Sequence, residues 1–101
     1  ENEIEIISLD SLSEGKGIGS ALIQKVESIA KQKRIEIVSL VTTNDNLNAL
    51  KFYQKRGYRI ISIISDAVNN ARKIKPSIPL IGNEGIPLKD ELILKKIVSE
   101  N

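Results

Sequence analysis

Two short apolar runs on either side of an amphipathic pattern constrain the fold more than any other feature. The first run, residues 3–9, is rich in isoleucine, and the second, 35–42, mixes isoleucine, valine and leucine. Both are too short for a buried helix, and β-branched residues are typical of strands. Apolar residues between them recur at helical spacing over 18–33. A strand that returns through one helix lies parallel to the first, so the sequence predicts a parallel β-α-β unit.

The rest of the chain continues the alternation of strands and helices. A second helix is predicted over 46–56, because Asp45 or Asn46 can cap its start and Gly57 can adopt the left-handed conformation past its end. The fold class is therefore α/β, or α+β in some schemes, with the order β-α-β-α-β-(α)-β and a mixed sheet in one domain, 1–101. The remaining predicted elements are a strand at 58–64, a helix-like stretch at 66–74, a Pro- and Gly-rich loop and a strand at 90–98.

Composition limits the chemistry that this chain can perform. It contains no Cys, His, Met or Trp, so disulfides, Cys/His zinc sites, Cys nucleophiles and imidazole bases are excluded. The net charge of +2 gives no strong field for nucleic acid or anionic membranes, and no segment approaches the roughly 20 apolar residues of a membrane span. We therefore expect a cytoplasmic protein without a metal, a nucleic-acid partner or a membrane anchor.

A glycine-rich turn, Glu14-Gly15-Lys16-Gly17-Ile18-Gly19, lies between the first strand and the first helix. Alternate glycines leave backbone N–H groups unobstructed, and the helix N-terminus adds partial positive charge, as in a phosphate cradle. The spacing differs from the mononucleotide and dinucleotide fingerprints. Taken alone, the glycine turn is equally consistent with a phosphate cradle and with a tight connection between a strand and a helix.

The segment from Asn46 to Tyr58 makes the pattern specific. An Asn, an Ala three residues later, a Phe-Tyr pair and a Gly-Tyr pair resemble motif B of the GNAT acetyltransferase superfamily, and the glycine turn resembles its motif A. The resemblance implies an N-acetyltransferase that moves acetyl from acetyl-CoA to a primary amine, on a small molecule or peptide, by direct transfer. A non-catalytic CoA-binding or interaction module is the alternative, and an unrelated phosphate-ligand domain is a remoter one.

The resemblance also implies roles for individual residues. The Tyr53 hydroxyl would protonate the departing CoA thiolate, a transfer that suits a phenol. Glu5, with Glu3 as a weaker candidate, would be the base on the first strand. Backbone amides of the glycine turn would bind the pyrophosphate, and the first strand would bind the pantetheine arm. The implied cofactor-binding positions are Ser8, Leu9, Glu14, Gly15, Lys16, Gly17, Ile18, Gly19, Ser20, Asn46, Ala49, Phe52 and Tyr53.

Structural interpretations of the same residues remain open at this point. In an arbitrary sequence Tyr53 would more often fill the core, and Asn46 is also a plausible helix cap. The basic residues after Tyr53 or just before it are most simply a solvated helix face, although one of them could meet the CoA 3′-phosphate. These residues are Lys51, Lys55 and Arg56.

The sequence departs from the family pattern in three places. Glu14 stands where the family usually has Arg or Gln, and its carboxylate would repel a pyrophosphate unless the side chain points away or pairs with Lys16. The chain corresponds to the C-terminal two-thirds of the family domain, so residues 3–9 are expected to form an edge strand open to homodimerisation or to a missing N-terminal half. The long loop around 75–90 resembles that of a bacterial subgroup. It is interpreted as a rigid excursion, an acceptor-site wall or a dimer contact.

Overall fold

A computed structural model of the protein describes residues 2–6 and 18–99. The elements follow the predicted order and confirm it, and their bounds differ from the predicted ones by at most two residues. Residues 7–9 of the predicted first strand lie outside the described residues. The strands are β1 Glu3–Ile6, β2 Ile37–Thr43, β3 Arg59–Ile64 and β4 Glu91–Ile97, and the helices are α1 Ile18–Gln32, α2 Leu47–Lys55 and α3 Ala67–Ile74.

The described strands form one mixed sheet in the order β1-β2-β4-β3. β1 and β2 are parallel, with Glu3 in register with Ile37 and Ile6 with Leu40, which confirms the β-α-β unit. β4 runs antiparallel to β2, since the start of each strand meets the end of the other. The Asn44 N–H donates to the Asp90 carbonyl at 3.0 Å, and the Val98 N–H donates to that of Glu36 at 2.8 Å.

The chain divides into two compact units, Glu1–Leu40 with Lys95–Asn101, and Val41–Leu94. In the first unit, one apolar side of α1 and three consecutive residues of β2, 38–40, are buried, and Lys96 Nζ lies 3.1 Å from the Glu27 carboxylate of α1. The second unit has its own buried side chains from α2, α3 and β4. The buried apolar residues are Ile23, Ala30, Val38, Leu40 and Val98 in the first unit, and Tyr53, Tyr58, Val68 and Leu94 in the second.

The long loop between α3 and β4 is a hairpin fastened by one arginine. Gly82 and Leu88 donate backbone N–H groups to Ile86 and Leu80 across the hairpin, at 2.7 and 3.0 Å. The Arg72 guanidinium donates to the carbonyls of Ile78, Pro79 and Leu88 and to the Asn69 side chain, at 2.6–3.0 Å. These bonds agree with a rigid loop, whereas a role at an acceptor site or in a dimer stays a prediction.

Removing the Arg72 guanidinium should loosen the second unit. We expect Arg72→Ala to lower the free energy of unfolding by about 2–3 kcal/mol, because three backbone carbonyls lose a charged donor. Arg72→Lys should recover little of this, since an ammonium lacks the planar fork of donors. Urea unfolding of the variants measures the effect. Lys73→Ala, on the exposed side of the same helix, is the control, and an equal loss in both would contradict the assignment.

Candidate functional site

Tyr53, the predicted acid, lies at the centre of an aromatic cluster in the second unit. Its side chain is 5% exposed, and its ring meets those of Phe52 and Tyr58 edge-on, with centroids 5.1 and 5.7 Å apart. These three residues are all the aromatic residues of the chain. Edge-to-face contacts hold ring positions closely, so the cluster fixes where the Tyr53 hydroxyl lies.

The ends of α2 explain how Tyr53 is held in place. Asn46 is the N-cap, with its side-chain oxygen accepting the Ala49 N–H at 3.1 Å, which confirms its predicted capping role. Beyond the last turn, Gly57 has φ 96°, a conformation that favours glycine, as predicted. The Tyr58 N–H then turns back to the Tyr53 carbonyl at 3.0 Å. The cap and the glycine turn therefore set the length of the helix that carries Tyr53.

Asn46, Ala49 and Tyr53 share one side of α2, since positions i, i+3 and i+7 align on a helix. Asn46 uses its oxygen for the cap, and its amide nitrogen donates no hydrogen bond within the described residues. The motif residues of this segment are thus brought together as the resemblance implies. Their contact with a cofactor remains a prediction.

Two polar residues just before the helix have a role that the sequence did not predict. The Asn44 side-chain oxygen accepts the N–H groups of Lys89 and Asp90, both at 3.0 Å, and its nitrogen donates to the Pro87 carbonyl at 2.8 Å. Side chains that bond to backbone in this way replace missing ladder partners. Asn44 therefore holds the hairpin against the end of β2.

Asp45 also holds the hairpin against the end of β2, and it does so from a buried position. Its carboxylate, 5% exposed as a residue, accepts the Thr43 hydroxyl at 2.6 Å and the Asn83 N–H at 2.8 Å. A Cβ at position 82 would overlap this carboxylate, so Gly82 is required for the close approach of the hairpin. The only sequence signal for this role is the run of polar residues directly after a buried strand, a pattern that by itself predicts a turn and a helix cap.

Arg56 differs from the predicted solvated helix face. Its guanidinium carbon lies 3.7 Å from the centroid of the Phe52 ring, and Nη1 donates to the Phe52 carbonyl at 3.0 Å. A guanidinium stacked on an aromatic face is a favourable cation–π contact. The prediction is therefore wrong for Arg56, whereas Lys51 and Lys55 are exposed as expected.

In the first unit, Glu3 and Glu5 lie on the same side of β1. Lys95 Nζ lies 3.2 Å from Glu3 Oε1. A hydrogen bond from the Ser39 hydroxyl, together with the Lys95 ammonium, holds the pKa of Glu3 below its ordinary value of 4.5, against an opposing effect of desolvation. A lowered pKa makes a carboxylate a weaker base, so the contacts of Glu3 make it less suited to that role.

Glu5 is exposed and in register with Ser39, and its side chain makes no hydrogen bond or ion pair within the described residues. Ile18, Gly19 and Ser20 form the first turn of α1, as the cradle prediction requires of a helix start, and Gly19 is buried. The other predicted cradle and pantetheine positions lie outside the described residues. They are Ser8, Leu9, Glu14, Gly15, Lys16 and Gly17.

Residues 2–6 and 18–99 offer neither a cluster of metal-ligating side chains nor a membrane-spanning helix. No cluster of three or more Asp, Glu, Cys or His side chains there could hold a metal ion. None of the helices in these ranges has the length and apolar character needed to cross a membrane.

Comparisons with known sequences point to one family. The model of the acetyltransferase (GNAT) family matches residues 1–58. Among curated proteins, the uncharacterized protein YxbD of Bacillus subtilis (strain 168) is 53% identical over 96 residues. The match covers 95% of this chain and 60% of that protein, so this chain spans about three-fifths of its relative's length.

Solved structures agree on the fold. An IAA acetyltransferase from Bacillus cereus ATCC 14579 superposes with a TM-score of 0.79 at 28% identity, covering 95% of this chain and 62% of that one. A GNAT family acetyltransferase from Elizabethkingia anophelis, with acetyl-CoA bound, has a TM-score of 0.77 at 26% identity, covering 95% and 61%. The four strands and three helices described here are therefore similar to part of a larger fold in both proteins.

The lowered pKa of Glu3 predicts a pH-dependent stability. Because the folded pKa lies below the unfolded one, the ionised Glu3 stabilises the folded state above pH 4.5, and this contribution is lost as the pH falls through the folded pKa. We expect Glu3→Gln to cost about 0.5 kcal/mol at pH 7, discounted for solvent screening of a partly exposed pair, and nothing at strongly acidic pH.

Urea unfolding of the wild type and of Glu3→Gln across this pH range measures the difference. Glu5→Gln is the matched control, since it removes a charge from the same side of the same strand without a lysine partner. A difference that stayed constant down to the most acidic pH would contradict the role of the Ser39 and Lys95 contacts.

Proposed function

The chain belongs to the acetyltransferase (GNAT) family, and we propose on this premise that it binds acetyl-CoA and transfers the acetyl group to a primary amine. The proposal is supported by α2, which aligns Asn46, Ala49 and Tyr53 on one side and holds Tyr53 between two aromatic rings. It is supported further by the similar structure from E. anophelis that contains acetyl-CoA. A small molecule or a peptide would carry the amine, and a cytoplasmic location stays a prediction.

Composition favours direct transfer over a covalent enzyme intermediate. The chain has neither the thiol nor the imidazole of the usual nucleophilic mechanisms. In direct transfer the amine nitrogen bonds to the acetyl carbon while the carbon–sulfur bond breaks, so one proton must leave the nitrogen and one must reach the sulfur. The Tyr53 hydroxyl would donate the second. Glu5 would accept the first, directly or through water.

Positioning accounts for the rest of the proposed catalysis. A helix start such as the first turn of α1 presents backbone N–H groups and partial positive charge to the pyrophosphate. Holding the thioester and the amine in line removes most of the entropic cost of their meeting. In this proposal the described residues bind and orient the acetyl donor, and Tyr53 contributes a proton.

A CoA-binding module without acetyl transfer is the second candidate. The observation that favours it is the burial of Tyr53, whose ring fills the core of the second unit and could have that role alone. The two candidates differ in whether an amine stimulates the release of CoA.

We expect acetyl-CoA and a panel of primary amines to give amine-dependent CoA release, detected with a thiol reagent to which the chain contributes no background because it has no cysteine. Tyr53→Phe should keep the ring contacts and acetyl-CoA binding but lower kcat about 10²-fold, within the range for loss of an acid catalyst. Tyr58→Phe, the same change in the neighbouring buried ring, is the control.

The possible outcomes separate the candidates. Binding of acetyl-CoA with no amine-dependent release would favour the CoA-binding module. Release that is equally fast in the wild type and in Tyr53→Phe would remove the acid role and leave acetyl transfer standing.

The two roles assigned to Asn46 are to cap α2 and to contact the cofactor. They can be measured separately. Asn46→Ser keeps an oxygen that can cap α2, so the free energy of unfolding should change by less than about 0.5 kcal/mol, whereas Asn46→Ala should lower it by about 1 kcal/mol. Both variants lose the amide nitrogen, and both should raise the Kd for acetyl-CoA several-fold in calorimetric titration. Asn48→Ser, exposed on the same helix, is the control. A wild-type Kd in Asn46→Ser would leave Asn46 as a cap alone.

A further inference from the structure

Asp45 is the one buried charged residue in the part of the chain that the structure describes. No ammonium or guanidinium group pairs with it there. Instead, its two oxygens bind two different elements. Oδ1 accepts the Thr43 hydroxyl at the end of β2, and Oδ2 accepts the Asn83 N–H at the hairpin tip, residues 82–85. A buried carboxylate without a cation partner is costly to desolvate, so it contributes more through the arrangement it specifies than through stability.

The hairpin tip is shaped to meet this carboxylate. Gly82 leaves no room for a Cβ, because that atom would overlap Oδ2 of Asp45. Arg72 donates to backbone carbonyls on both sides of the hairpin, and Asn44 bonds to the backbone of its second side. The hairpin is therefore a fixed support for Asp45.

A short path joins Asp45 to the helix that carries Tyr53. The Asp45 carbonyl accepts the Leu47 N–H at 3.0 Å. The Asn46 N–H donates to the Thr43 carbonyl at 3.1 Å, so the chain turns tightly around Asp45. α2 begins at Leu47, and Tyr53 follows less than two turns later, about 9 Å along the helix axis. A shift at the start of α2 therefore reaches the Tyr53 hydroxyl.

We propose that Asp45 is a positioning residue for acetyl transfer, because it joins the hairpin to the start of α2 and thereby fixes where the Tyr53 hydroxyl lies. This role rests on the proposed function, and it gives the long loop a part in that function. The hairpin supports Tyr53 through Asp45 and needs no contact with either substrate.

Turnover tests this role at a temperature where every variant is fully folded. Asp45→Ala should lower kcat about tenfold, because a misplaced acid delivers its proton less readily. Asp45→Asn should stay within about twofold of the wild type, since its amide oxygen can accept the Asn83 N–H and its nitrogen can donate to the Thr43 oxygen. In the Tyr53→Phe background, Asp45→Ala should cause no further loss, because the hydroxyl through which Asp45 acts is absent.

The position of Tyr53 can also be followed without any reaction. The chain has two tyrosines and no tryptophan, so Tyr58→Phe leaves Tyr53 as the sole source of the tyrosine signal. In this background Asp45→Ala should change the near-ultraviolet circular dichroism of Tyr53, and Asp45→Asn should restore it. Val98→Ala is the control, since it removes buried methyl groups from the first unit, where neither the hairpin nor α2 lies. It should lower stability and leave both the spectrum and kcat unchanged.

Two results would overturn the proposal. One is an Asp45→Ala variant with the kcat and the Tyr53 spectrum of the wild type, which would leave Asp45 with a structural role alone. The other is a loss of kcat that adds in full to that of Tyr53→Phe, which would mean that Asp45 acts on another part of the site. If the wild type released no CoA with any amine, the proposed function would fail, and the Tyr53 spectrum would decide whether Asp45 positions this residue.

Discussion

The second unit depends on the hydrogen bonding of three consecutive side chains after β2. Asn44 satisfies the backbone at the start of β4, Asp45 binds the hairpin, and Asn46 caps α2. Buried backbone groups that lack a partner cost as much as a lost hydrogen bond, so a strand, a hairpin and a helix can meet here only because side chains supply the missing acceptors. The position of the Tyr53 helix follows from these contacts.

The elements of the fold were predictable because each has a clear period or a clear stop signal. The helical spacing over 18–33 and the isoleucine-rich strands gave bounds close to those of α1 and β2, and Gly57 marked the end of α2. The position of β4 between β2 and β3 was not predicted from periodicity, because local patterns carry no information about which strands become neighbours.

The candidate site was predictable in part. The placement of Asn46 and Tyr53 on one helix followed from the motif, and the structure confirms the cap. The network around Asp45 and Arg72 was missed, because its partners are backbone groups up to 38 residues away, which no sequence pattern marks. Arg56 was misjudged for a similar reason: a basic residue at a helix end usually points to solvent, and here the ring of Phe52, one turn earlier, offers a better position.

The place of β4 in the sheet has a consequence for the order of folding. β4 is the last of the described strands to be synthesised, yet it lies between two that are made earlier. Until residues 91–97 have left the ribosome, β2 and β3 lack their shared neighbour, and the isoleucines of β3 have no strand on either edge. Pairings between distant segments slow folding, because loop closure must precede them. The isoleucine-rich β3 segment of the nascent chain should therefore stay unpaired until β4 has been made.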